Sequence, residues 1–165
     1  MINRSGTPKK AFIRNEDFYF NRGIICTVTG LYAPTYQLSF GGVFGHKANL
    51  MLPFRQDITN YLLVILSSKL MRYFAKAFIC NTVDFSTDYF KHLPVVVPNA
   101  DELARANVIA NRAIEIKRSG VKGATAAIDL IVEPYVNSLY RLSEAEVNEI
   151  QVWFRRRYPH LGRSS

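Results

Sequence analysis

The chain has 165 residues, 48% hydrophobic and 13% aromatic, which excludes global disorder and gives enough material for one good core or two small ones. Its net charge is +8 at pH 7, from 21 Lys and Arg against 13 Asp and Glu, so the ligand classes it favours are anionic: nucleic acid, an anionic membrane surface or an acidic protein. Cys26 and Cys80 form no CxxC pair, so free, packed thiols in a reducing cytoplasm are expected rather than a disulfide framework or a structural metal.

Residues 1–11 read as a mobile basic arm, because Gly6 and Pro8 leave no periodicity while Lys9 and Lys10 add charge. They carry no apolar run, so neither a signal peptide nor a membrane anchor is expected at the start. From Phe12 the texture changes. Phe18 to Phe20, Gly23 to Val28, Tyr36 to Phe40, Gly42 to Phe44 and Ala48 to Leu52 are short aromatic or β-branched runs separated by Gly, Pro and Asn, which predicts a small, glycine-punctuated β unit.

After Pro53 the chain turns helical, with Asp57 as the expected N-cap. Leu62, Leu63, Ile65, Leu66, Leu70, Tyr73, Phe74, Ala77 and Phe78 recur at helical spacing, and Ser67-Ser68 either breaks or bends the helix. Lys69, Arg72 and Lys76 fall at i, i+3 and i+7, so one continuous helix would gather them into a basic stripe opposite the apolar face. Replacing all three with alanine is then expected to leave the fold intact. These cations interrupt the one candidate membrane span, which is therefore read as a soluble helix.

Asn81 to Phe85 returns to extended structure, Ser86 or Thr87 can cap a turn through Phe90, and Val95 to Val97 reads as a buried strand between two prolines. Asn99 can cap a helix over Ala100 to Arg118, ended by Ser119-Gly120. A helix from Thr125 to Arg141 would be kinked or split by Pro134, and Ser143 with Glu146 fits a capping box for a last helix to Tyr158. The expected fold is α+β: a β unit on a central amphipathic helix over residues 12–98, followed by a helical extension for packing or docking over 99–165.

No catalytic constellation stands out. Ala33-Pro34-Thr35-Tyr36 and Glu133-Pro134-Tyr135 lack the Asn/Asp-Pro-Pro order that accepts an amine's hydrogens in adenine methylation, and Gly41 to Gly45 has no Lys-Ser/Thr behind it. Glu115-Ile116-Lys117 matches the end of many nuclease sites, yet it falls at a helix terminus, where Lys117 and Arg118 suit the dipole. His46, His92 and His160 are too scattered to hold a metal. The distributed set is basic and aromatic: Lys9, Lys10, Arg14, Arg22, His46, Lys47, Lys69, Arg72, Lys76 and Lys91, interleaved with Tyr19, Tyr32, Tyr36, Tyr73 and Tyr89. Residues 1–96 hold 11 Lys and Arg against 5 Asp and Glu, whereas residues 97–165 hold 10 against 8, so the excess lies with that set. Arg155-Arg156-Arg157 is a further charge run at a helix end.

The order of several segments carries a resemblance. Leu62-Leu63-Val64-Ile65-Leu66-Ser67-Ser68-Lys69, then Asn81-Thr82-Val83-Asp84-Phe85, Asp88-Tyr89-Phe90-Lys91, Leu93 to Pro98 and the helical tail from Tyr140 to Glu146 together resemble the C-terminal target-recognition region of N6-adenine DNA methyltransferases. Such regions occur in fused type II restriction-modification enzymes and phage-exclusion methylases. The resemblance covers roughly residues 18–150. The family pattern reads Leu-Leu-x-x-Leu-Asn-Ser-Lys, and Ser67 stands here where Asn is commoner. It implies a DNA-binding specificity module whose loops and cations face double-stranded DNA and which is not itself an enzyme. S-adenosylmethionine and the chemistry would belong to a separate catalytic domain or subunit, its partner. The alternative is a small basic subunit that binds an acidic protein.

Overall fold

The computed structural model describes residues 16–39, 41–43 and 48–159. The chain is an α+β protein in which a three-stranded antiparallel sheet packs against helices. Strands β1 (Ile24–Thr27), β2 (Tyr36–Leu38) and β3 (Ala48–Met51) lie in the order β2-β1-β3, with Ile25 opposite both Gln37 and Leu50. Alternation puts Ile24, Cys26, Tyr36, Leu38 and Met51 on one face, and Ile24 and Cys26 are fully buried there. Burial pushes the Cys26 thiol up to about 11, so it is a packing group rather than a nucleophile.

The central helix is three pieces. A 3-10 turn (Gln56–Ile58) leads into α1 (Thr59–Ser67), Ser68 is extended and restarts the chain as α2 (Lys69–Tyr73), and Phe74–Ile79 winds on as a π-helix. The serine pair therefore breaks the helix. The Ser68 hydroxyl is fully buried and works both ways, donating to the Ile65 carbonyl (2.7 Å) and accepting from the Met71 amide (3.3 Å), so it closes one helix and caps the next. Asp57 is no cap; it lies inside the 3-10 turn and pairs with Arg55.

Beyond Cys80 the segment 81–85 is tied to the loop after β1 by an isolated bridge, Thr29 to Asp84, with the Gly30 and Phe85 amides donating to the Val83 and Val28 carbonyls, both at 2.7 Å. A short helix, α3 (Thr87–Phe90), follows, then α4 (Ala100–Arg118), α5 (Ala124–Leu139) and α6 (Glu144–Arg157). The expected capping box of Ser143 with Glu146 is present, and Asn99, expected as a cap, forms a full capping box with Glu102. Pro134 sits within α5 without splitting it. The carbonyl it leaves without a donor belongs to Leu130, a residue open to water.

Two expected strands are absent among the described residues. Glu16–Phe18 is a 3-10 turn with Tyr19 and Phe20 in the turn that follows, and Val95 to Val97 is an exposed segment pinned by tyrosines rather than a buried strand. Of the strand expected over Gly42 to Phe44, Gly42 and Val43 are irregular and Phe44 lies outside the described residues. Tyr61 donates to the Val96 carbonyl (2.7 Å) and Tyr140 to the Pro94 carbonyl (2.6 Å). A β-branched run without a neighbouring strand has no ladder to join, and Pro94 and Pro98 remove donors at both ends.

The core runs across the boundary expected at residue 98. Ile24, Tyr61, Ile65, Leu70 and Phe85 share one buried cluster with Ala106, Ala110, Val132, Val136 and Ile150. Ala106 and Ala110, one turn apart on α4 and fully buried, let that helix close on α1.

Candidate nucleic-acid interface

The expected DNA-facing cations divide into three groups. Lys9, Lys10, Arg14, His46 and Lys47 lie outside the described residues, as does the arm over 1–11. Arg22 and Lys91 are exposed, and Lys91 is paired at 2.7 Å with Asp88, whose carboxyl it holds below the usual range. Lys69, Arg72 and Lys76 are drawn into the packing.

Lys76 is buried, donates to the Thr82 carbonyl (2.6 Å) and is pushed below the usual lysine range by that burial. The Lys69 side chain is only 15% exposed; its ammonium pairs with Asp129 at 3.1 Å, reaches Gln151 Oε1 at 3.4 Å and lies 5.1 Å from the centre of the Phe154 ring. The Lys69 amide donates to Glu133 (2.9 Å), so this one residue joins α2 to both α5 and α6. Arg72 is half-buried and lines a cleft. The three cations therefore form no solvent-facing stripe. The π-helical winding after Tyr73 changes the angle between Arg72 and Lys76, the break at Ser68 turns all three relative to the apolar residues of α1, and α6 packs on α2 while α5 supplies Asp129 and Glu133 to Lys69.

The exposed candidate surface is instead the end of the sheet where β1 begins and β2 ends. There the Phe20 amide donates to the Gly42 carbonyl (3.0 Å), the Ser39 amide to the Gly23 carbonyl (2.8 Å), and the Ser39 hydroxyl bridges the Asn21 carbonyl and the Gly41 amide (3.2 Å each). These bonds tie residues 20–23 to Ser39 and Gly42, and Ser39 to Gly41. Gly23 is required because a Cβ would meet the Met51 carbonyl oxygen at 2.3 Å, and Gly41 because its φ is +89°. Phe20 also takes a left-handed conformation, φ +61°, uncommon for a bulky residue; it is 71% exposed, and Phe18 and Arg22 are exposed as well. Single-sequence reading places Phe18 and Phe20 in a strand; the glycines at 23 and 41 are the signal that this end is a loop cluster.

Elsewhere Arg157 is fixed to the Leu31 carbonyl (2.8 Å), while Arg155 and Arg156 stay exposed in the last turn of α6. Of the tyrosines interleaved with the cations, Tyr36 is half-buried with a hydroxyl pushed well above its usual range by burial, and Tyr73 is hydrogen-bonded to Glu149. Tyr32 is exposed and packs on Tyr158 at 4.9 Å between ring centres. Among the described residues no group of three or more His, Cys, Asp or Glu is placed to hold a metal, and no helix is long and apolar enough to cross a membrane. No protein-family model matches the chain, and no curated protein matches its sequence.

Proposed function

We propose that the chain is a sequence-specific DNA-binding module, the target-recognition part of an adenine-specific DNA methyltransferase or restriction-modification enzyme. The observation that carries this reading is the locked loop end of the sheet, where four hydrogen bonds hold the backbone around Phe20 and Gly23 while Phe18, Phe20 and Arg22, within five residues of one another, are all exposed. Exposed aromatic rings and a guanidinium carried on one short, fixed segment suit a duplex, in which the cation meets phosphate or a base edge and a ring meets the groove wall or a base step. The ordered resemblance and the net charge of +8 support the same class. Double-stranded DNA is the ligand, and a methyltransferase catalytic domain or subunit carrying S-adenosylmethionine is the partner that flips and methylates the adenine.

The test is a binding selection on random duplexes with the purified chain, followed by salt titration on an enriched and a scrambled duplex. The expected result is one enriched motif and affinity that falls steeply with salt. No enrichment, together with salt-independent affinity, would overturn the reading and favour an acidic protein as the partner.

A further inference from the structure

A cleft of about 600 Å³ opens between the edge strand β2 and the α4–α5 hairpin, within the size range of small-molecule sites. Its walls are largely aliphatic, with Leu63 and Val64 from α1, Ile114 from α4, and Ile128 and Val132 from α5. Its charged lining is mainly cationic, beside neutral polar groups such as Thr27, Gln37 and Ser67. Arg72 lines it from α2, and Lys117 and Arg118 from the end of α4. Asp129 is the only carboxylate in the lining, and Lys69 already neutralises it at 3.1 Å.

Arg72 is the unusual member. Its Nε is fully buried without a hydrogen-bond partner, and its side chain makes no hydrogen bond or ion pair among the described residues. A half-buried guanidinium normally has its planar donor set satisfied, because leaving such donors unpaired costs more than a typical bond gains. Packing does explain why the arginine lies there: Tyr36, Glu133 and Tyr158 are within electrostatic reach of it. It does not explain donors left unused against a cleft with aliphatic walls.

We propose that this cleft binds an amphiphilic oxyanion, a carboxylate or phosphate monoester on an aliphatic body, with the oxyanion on Arg72 and the body along Leu63, Val64, Ile128 and Val132. The guanidinium fork matches the two oxygens of such a group, and the positive lip at Lys117 and Arg118 attracts it. The aliphatic lining selects a chain over a flat polar ring. This site is separate from the loop end of the sheet and does not depend on DNA binding.

The test is calorimetric titration of the full chain, below micelle concentrations, with decanoate and decyl phosphate, set against decanol and acetate. Binding by either long-chain anion, with decanol and acetate at least about tenfold weaker, is expected; which anion binds better identifies the carboxylate or the phosphate source. Arg72→Gln should weaken the anion about tenfold or more while leaving decanol unchanged. Lys117→Glu, on an exposed position that leaves the core untouched, should weaken it by a smaller factor and covers the case in which Arg72→Gln fails to fold. Amide resonances of Gln37 and Thr125 should shift on titration. Decanol binding as tightly as decanoate, no binding by either anion, or full affinity in both variants would each overturn the site.

Discussion

The helix pieces from Lys69 to Ile79 and the loop end of the sheet around Arg22 carry the same kinds of residue, cations among aromatics, and use them in opposite ways. In the first region the cations point into protein: Lys76 closes the Thr82 carbonyl, and Lys69 joins Asp129, Gln151 and Phe154. In the second, Arg22 and the rings of Phe18 and Phe20 point outward from backbone that is hydrogen-bonded to itself. A cation beside an aromatic is therefore not by itself a sign of ligand binding. What separates the two cases is whether another helix covers the face, and here α6 covers α2.

The comparison breaks most visibly if the inward cations are removed. Alanine at Lys69, Arg72 and Lys76 together should abolish cooperative unfolding or lower stability by more than about 4 kcal/mol, since Asp129 loses its counter-charge, the Thr82 carbonyl loses its donor and three packed aliphatic stems leave the interior. Retention of the parent's denaturant midpoint would return these residues to the surface. Lys69→Ala alone should cost about 2 kcal/mol, below the value for a fully buried pair because the Asp129 side chain is 34% exposed.

Next in size is a pH effect at the same hub. Burial raises the Glu133 carboxyl from its ordinary 4.5 to about 7, against the opposing Lys69 amide and ammonium. Because the folded state holds this proton more tightly than the unfolded one, no penalty exists below the ordinary value. Stability then falls as pH rises to about 7 and stays lowered above it. Glu133→Gln keeps an acceptor for the Lys69 amide and loses the titration. The variant should match the parent at pH 4 and exceed it at pH 8 by up to about 3 kcal/mol. Parallel urea midpoints across that range would show that Glu133 ionises freely.

How much of this was readable beforehand follows from the range of each interaction. The caps at Asn99 and Ser143 were legible because cap and partner lie three residues apart, at Glu102 and Glu146. The small β unit was legible from its glycines, but its strand bounds were not, since Phe18 to Phe20 and Val95 to Val97 have strand composition without a strand to pair with. The inward turn of Lys69 was invisible because its partners, Asp129, Glu133 and Gln151, are more than fifty residues away. Helical spacing fixes an angle only while the helix is continuous, and Ser68 interrupts it.

At the loop end the backbone and the side chain of Phe20 can be separated. Phe20→Gly and Phe20→Val both remove the ring, but glycine tolerates φ +61° and valine does not. The valine variant should be less stable than the glycine variant by about 1–2 kcal/mol, and both should lose affinity for the selected duplex. Equal stability would mean that the left-handed turn relaxes at little cost, and unchanged affinity in both would remove the ring from the interface.

The smallest change in stability, and the sharpest contrast with Lys69, belongs to Arg22. It is exposed, and its position before Gly23 keeps it clear of the core, so Arg22→Ala should shift stability by no more than about 0.5 kcal/mol. If it neutralises one phosphate, the slope of log K against log salt should become shallower by roughly 0.9 with the preferred sequence unchanged. If it reads a base edge instead, discrimination at one position of the enriched motif should fall by about 1–3 kcal/mol. Lys91→Ala is the matched control, because that exposed cation is already shared with Asp88 and should change the slope less. Arg22→Ala with parental slope and parental preference, measured beside that control, would place the DNA contact elsewhere on the chain and leave the loop end as a structural corner of the sheet.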